Sequence, residues 1–298
     1  MGISVKNGIF TREICVCVHL TQTRDAQRAC AEMESSMGEE IKKKIEDAEV
    51  ILVGLGEDFN NTRVLHQDER YLSGKNLLME AGYHWLVPMW AEYCSSRDGD
   101  EQLRQALDKL EKLLEGKNYF IVSVSTQPEI MKKAWKNGNC VMPCGGSWQK
   151  QCVMGCEGQI METTAEDMEK LKAAFEQLWE GKFPEDGIPE LGTCKKCGRS
   201  MVLNNIYAES YDESGYQEKW KQYTKWLQGT INRRLLILEL GVSLQFPTVI
   251  RWPFEKVAFY NQKAFLYRVN EKLYQMTKEL SDRGTGIEKN AIDWINEL

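Results

Sequence analysis

The chain has 298 residues, 42% hydrophobic and 28% charged, with a formal net charge of −6. That balance excludes the compositions that stay disordered, and the length suits one large domain or a main domain carrying an insertion. The acidic excess argues against nucleic acid as a partner, because a surface that neutralises many phosphates needs an excess of cations.

In chain order, the first buried strand is predicted at Glu49 to Val53, a compact apolar run with glycines just behind it. Gln102 to Glu115 places Leu103, Ala106, Leu107, Leu110, Leu113 and Leu114 on one helical stripe, with Gly116 positioned to stop it. A second strand follows at Tyr119 to Val124. Thr164, with Asp167 three residues on, forms a loose capping box ahead of Met168, Leu171, Phe175 and Leu178, and Gly181 marks the end of that helix. Tyr216 to Gly229 carries Tyr216, Trp220, Tyr223, Trp226 and Leu227 at near-helical spacing, which reads as a packing face. Two further strands are predicted at Leu235 to Leu240 and Ala264 to Val269. Uniformly apolar strands alternating with helices predict a doubly wound α/β domain, a mainly parallel, Rossmann-like sheet covered on both faces. Residues 140–229 break that rhythm, with no comparable buried strand and a cluster of cysteines. They are expected to form a small inserted module between the two parts of the main domain, 1–139 and 230–298.

Cys152 and Cys156 are separated by three residues and Cys194 and Cys197 by two, with 37 residues between the pairs. Two such knuckles predict one tetrahedral zinc ion held by four thiolates. With no open coordination position, that zinc would be structural and would hold together a module with little core. Cys144 falls outside this count; it is a candidate reactive thiol if a cation such as Lys150 approaches it.

Ligands of open α/β sheets bind outside the carboxyl ends of the strands. Gly54 and Gly56 follow the first strand, Ser123 and Ser125 end the second, and Gly241 and Ser243 follow the strand at 235–240, so these turns are expected to outline one crevice.

These residues resemble the sirtuin family, in which a nicotinamide-dinucleotide fold carries an inserted zinc module. The resemblance runs from about Asp47 to the end of the chain, and the segment Leu236 to Phe254 is most similar to divergent bacterial members, including the macrodomain-linked sirtuins. Gly54-Leu-Gly56 is similar to the family's Gly-Ala-Gly turn at the cofactor phosphates, and the four cysteines to its zinc ligands. Leu240-Gly-Val-Ser-Leu-Gln-Phe-Pro247 is similar to its Gly-Thr-Ser segment, which implies that Gly241 and Ser243 line the adenosine side. Val269-Asn270 is similar to its Ile-Asn, which implies that Asn270 reaches a ribose, and Gly284-Thr-Gly-Ile287 occupies the place of the last adenine loop. The catalytic positions depart from the pattern. Ser125 stands at the family's asparagine, Gln127 at its aspartate and Cys144 at its histidine, while Glu57-Asp58 replaces the usual continuation of the first loop.

The resemblance implies binding of NAD, cleavage of its nicotinamide–ribose bond with ADP-ribosyl transfer, hydrolysis or weak deacylation, and an acylated or ADP-ribosylated protein as partner. Ser125, Cys144 and His66 are the candidate catalytic side chains, and Glu57, Asp58 or His66 the candidate acids or bases. A second reading is a catalytically inactive sirtuin-fold module that binds NAD, ADP-ribose or a protein. A third is an unrelated nucleotide hydrolase whose acidic first loop holds a ribose or a metal. The longest apolar runs fall far short of the roughly 20 residues a bilayer requires, and no leader pattern opens the chain. A cytoplasmic location is expected, where the ten cysteines stay reduced unless metal or catalysis recruits them. The amino-terminal 45 residues, with Cys15, Cys17 and Cys30, are left as either a cover for the crevice or an outer helix.

Overall fold

The computed structural model describes residues 38–60, 65–98, 101–133, 135 and 138–298, so Cys15, Cys17 and Cys30 lie outside the described residues. The strands are β1 (Val50–Leu55), β2 (Tyr119–Ser123), β3 (Cys140–Val141), β4 (Gly145–Cys152), β5 (Met161–Glu162), β6 (Met201–Asn205), β7 (Leu235–Leu240), β8 (Phe265–Val269) and β9 (Gly284–Ile287). Six of them form one sheet in the order β3-β2-β1-β7-β8-β9, and every adjacent pair is parallel.

Because successive side chains on a strand point to opposite faces, β1 serves two cores at once. Ile51, Val53 and Leu55 pack with Leu103, Leu107 and Leu110 of the Glu101–Leu113 helix and with Trp294 and Ile295 of the Ala291–Glu297 helix. Val50 and Leu52 pack on the other face with Phe120, Ile237 and Phe254. The sheet is doubly wound, as the uniformly apolar strands predict.

The aromatic Ser214–Gln228 helix belongs to that second face. Tyr223 is buried, its ring lies 5.3 Å from Phe120, and Trp226 lies 5.7 Å from the same ring. Trp226 Nε1 also donates to Asn118 Oδ1 (2.7 Å). Residues predicted within the insertion therefore cover the parallel sheet, and the two-residue strand β3 extends its edge.

A second sheet, ordered β5-β4-β6, is antiparallel. The sequence pattern shows no buried strand between residues 140 and 229, yet β6 is buried throughout and β4 along most of its length. Their inner polar side chains are paired rather than apolar. Lys150 Nζ reaches Asp167 Oδ2 (2.6 Å) and Leu191 O (2.7 Å). Gln151 Oε1 accepts from Asn204 Nδ2 (2.6 Å). Asp167 is also half of the predicted capping box, accepting from Thr164 N while its own amide donates to Thr164 Oγ1. One carboxylate thus starts the Ala165–Trp179 helix and ties it to β4. The hydrophobic support of this sheet comes from two chain segments: Tyr71, Leu78, Trp90 and Cys94 of the earlier helices pack with Leu171, Phe175, Leu191 and Leu203.

At the core of the parallel sheet sits one buried charge cluster. Glu239 on β7 accepts from Arg251 Nη1 (2.9 Å) and from Arg268 Nε (2.7 Å) and Nη2 (3.0 Å). Arg268 also reaches Glu255 (2.8 Å). Removing one partner from such a cluster strands the others without solvent. Glu239→Ala should therefore lower the free energy of unfolding by about 3–5 kcal/mol, read from denaturant midpoints at constant slope.

Candidate functional site

Strand order reverses between β1 and β7, so the crevice at their carboxyl ends is where an open α/β sheet binds ligands. The two turns there touch backbone to backbone. Gly56 N donates to Leu240 O (2.8 Å) and Asp58 N to Gly241 O (3.3 Å). A Cβ on Gly56 would stand 2.1 Å from the Gly241 carbonyl oxygen. Gly241 has φ +64°, and a Cβ there would stand 2.4 Å from Asp58 Cβ. Gly54 also matters for packing, because its missing Cβ leaves room for Ile250 and Phe254 at the start of the Arg251–Tyr260 helix.

The acidic pair of the first loop is divided between two roles. Asp58 Oδ2 accepts from Ala291 N (3.1 Å) and Asn290 Nδ2 (3.3 Å), anchoring the last helix. Glu57 Oε2 accepts from Ser243 N (2.8 Å), whereas its Oε1 is buried without a hydrogen-bond partner among the described residues.

The end of β2 is organised by Asn60. Its Oδ1 accepts from Ser125 Oγ (2.9 Å) and Thr126 N (2.9 Å), and its carbonyl accepts from Gln127 Nε2 (3.2 Å). Ser123 Oγ in turn accepts from Ser125 N (3.1 Å). At the end of β8, Asn270 Nδ2 donates to Val242 O (3.2 Å), and Oδ1 takes the amides of Lys272 and Leu273. Gly54, Gly56, Ser123, Ser125, Gly241, Ser243 and Asn270 thus all lie at the carboxyl end of the sheet. The side chains of Ser125 and Asn270 are engaged by neighbouring protein groups.

Cys144 lies after β3, buried, with burial and then the Glu57 carboxylate pushing its thiol up to about 12. It is a neutral thiol at physiological pH. Lys150, the cation considered as its activator, is committed to Asp167. His66 is exposed ahead of the Glu69–Glu80 helix. Two tyrosines that the sequence did not single out close this side of the crevice. Tyr211 Oη donates to Pro143 O (2.7 Å), and Tyr207 Oη accepts from Gln245 Nε2 (3.4 Å), joining the loop after β6 to the loop after β7. Burial pushes the phenols of both above their usual range. Their positions follow from pairing of β4 with β6, which no local pattern announces.

The four predicted metal ligands converge. Cys152 ends β4, Cys156 follows a left-handed Gly155, and Cys194 and Cys197 flank the turn ahead of β6 closed by Gly198 at φ +72°. All four sulfur atoms lie within 4.8 Å of one another, and Cys152 and Cys197 are 3.5 Å apart. A tetrahedral zinc with bonds of about 2.3 Å places its sulfurs roughly 3.8 Å apart, so the cluster fits that ion. Met154 N and Lys196 N donate to Cys152 and Cys194 Sγ (both 3.4 Å). Burial raises the Cys152 thiol, but the Met154 and Cys156 amides together with the Cys197 and Cys194 sulfurs leave it lowered to about 7.

No family model matches the chain. It is 20% identical over 271 residues to a protein ADP-ribosyltransferase of Staphylococcus aureus, covering 84% of this chain and 83% of that protein. It is 23% identical over 142 residues to a probable bifunctional ADP-ribose hydrolase/ADP-ribosyltransferase of Fusarium oxysporum, covering 47% of this chain and 23% of that protein. Among solved structures, Sir2Tm bound to a propionylated peptide aligns with a TM-score of 0.49 at 14% identity, over 87% of this chain and 95% of that one. A Sir2 homologue–NAD complex aligns with a TM-score of 0.46 at 12% identity, over 87% and 91%. Among the described residues no helix is long and apolar enough to cross a membrane.

Elemental analysis of the purified protein should find about one zinc per chain. Cys194→Ser should lose it together with thermal stability, whereas Cys144→Ser should keep full metal content.

Proposed function

We propose that this chain is a sirtuin-like protein that binds NAD in the crevice between the β1 and β7 turns and cleaves the nicotinamide–ribose bond, passing ADP-ribose to a protein acceptor or to water. The observation that carries the reading is the glycine-paired turn junction at the strand-order reversal, Gly56 against Gly241, with the hydroxyl-rich end of β2 beside it. The similarity to a protein ADP-ribosyltransferase along 84% of the chain supports the same chemistry. Gly54, Gly56, Ser123, Ser125, Gly241, Ser243 and Asn270 surround the dinucleotide in this reading. The division into 1–139 with 230–298 and an inserted 140–229 is retained, with the Ser214–Gln228 helix of the insertion packed on the main sheet.

NAD supplies an activated ribose from which nicotinamide departs as a neutral molecule. The protein's part is to hold the ribose, exclude water from the wrong face and accept a proton from the incoming nucleophile. Deacylation fits these residues less well than ADP-ribosyl transfer or hydrolysis. The family's histidine position holds Cys144, a thiol raised to about 12 that has no basic lone pair to offer near neutral pH. The four-cysteine cluster supports a structural zinc, since four thiolates leave no position for substrate. Outside the cluster, Cys94, Cys140 and Cys144 are unpaired by disulfides, which supports a cytoplasmic, reducing location.

The engagement of Ser125 and Gln127 by Asn60 favours a second reading, an inactive module that binds NAD, ADP-ribose or a protein partner. Incubation of the protein with NAD, with and without an acceptor protein, followed by chromatography, should show released nicotinamide. Calorimetry should show dinucleotide binding. Binding without release establishes the second reading, and neither binding nor release at millimolar NAD rejects both.

A further inference from the structure

One buried oxygen of the crevice has no partner among the described residues. Glu57 follows Gly56 directly, and its carboxylate is fixed at one end by the Ser243 amide (2.8 Å). The other oxygen, Oε1, is buried and no donor among the described residues reaches it. A buried acceptor left unserved costs about 1–3 kcal/mol, and in a folded protein such a group calls for an unseen partner or a chemical role.

The chemistry of the carboxylate narrows that partner. An ionised carboxylate only accepts hydrogen bonds, so phosphate oxygens, which are also acceptors and negatively charged, are repelled and an O–H group is received. Among the acid and base candidates named above it is also the one left for a base, since Asp58 anchors the last helix. Ser125 Oγ donates to the Asn60 side chain and the Phe59 carbonyl, and Gln127 is bonded to Asn60. Cys144 is a buried, neutral thiol, and His66 is exposed. The Glu57 charge is felt at both Cys144 and Tyr207, which places the carboxylate on the side of the crevice where the inserted module meets the main sheet.

We propose that Glu57 is the proton acceptor of this site, with Oε1 receiving the O–H of the nucleophile that replaces nicotinamide; this rests on the NAD-cleaving reading above. In that step the nucleophile's oxygen, from water or an acceptor hydroxyl, bonds to the anomeric carbon. The carbon–nitrogen bond breaks with its electron pair on the departing nicotinamide. The nucleophile's proton ends on Glu57 and passes on to solvent. The Ser243 amide holds the carboxylate in place, and Gly56 allows the turn that aims it.

The test uses the full chain. Glu57→Gln keeps an oxygen for the Ser243 amide but takes no proton, so nicotinamide release should fall by about 100-fold or more, with dinucleotide affinity by calorimetry and the thermal midpoint close to wild type. Glu57→Ala should be as slow and should recover part of its rate with added formate, a small carboxylate that the exposed Ser243 amide can hold. A Glu57→Gln protein that turns over at the wild-type rate overturns the assignment. So does a slow Glu57→Gln whose affinity falls in proportion and a Glu57→Ala that formate does not rescue, since Glu57 would then only bind. If wild-type protein neither binds NAD nor releases nicotinamide, the NAD-cleaving reading itself fails, an outcome distinct from an active wild type with an equally active variant.

Discussion

The contact on which the crevice depends is the approach of two backbones, Gly56 against Gly241. A side chain at either position would overlap main-chain or Asp58 atoms at 2.1 to 2.4 Å, a clash that no rotamer relieves. Because the β1 and β7 turns interlock, the residues after Gly56 have little choice of direction. Asp58 is carried toward the last helix and Glu57 toward the Ser243 amide. The same interlock sets the loop so that Asn60 reaches the end of β2 and satisfies Ser125, Thr126 and Gln127 together.

This arrangement explains how the site keeps its shape while lacking the side chains usual for its resemblance. Ser125 and Gln127, at the end of β2, brace the first loop through Asn60. Cys144 is a buried thiol pushed up by burial, next to the Pro143 carbonyl that Tyr211 binds. Glu57 stands in the first loop, and its charge acts on the buried Cys144 thiol. Glu57 is the group among these whose carboxylate is held at one oxygen and left without a partner among the described residues at the other.

The cysteine module contributes through position more than through chemistry. Its four thiols close the ends of β4 and of the turn ahead of β6, and the β4–β6 pairing then carries the loop from Ile206 to Tyr211 against the Pro143–Cys144 backbone. Gln151 and Asn204 extend the same control, since Gln151 binds Ser210 O and the Asp212 amide while Asn204 binds Asp212 O. The four-cysteine cluster thereby shapes one wall of the crevice through the β4–β6 pairing.

Runs of apolar residues were enough to identify β1, β2, β7 and β8, because a strand buried on both faces of a parallel sheet has no polar register to hide it. The Thr164 capping box and the paired cysteine knuckles were equally legible, since both rest on spacing between near neighbours in the chain. β4 and β6 were not legible because their buried polar side chains, Lys150, Gln151 and Asn204, are satisfied by partners such as Asp167, Leu191 and Ser210, which lie 17 to 59 residues away. The packing of the Ser214–Gln228 helix on the main sheet was hidden for a similar reason, as an aromatic stripe does not name the surface it covers. Sequence alone determined the fold class, the pairing of the cysteine knuckles that the fold brings together and the glycines and hydroxyls at the strand ends, all of which follow from local pattern. Only the tertiary structure decided which of the acidic and nucleophilic candidates keeps an acceptor unserved among the described residues, because hydrogen-bond satisfaction is a property of the assembled neighbourhood and not of the residue.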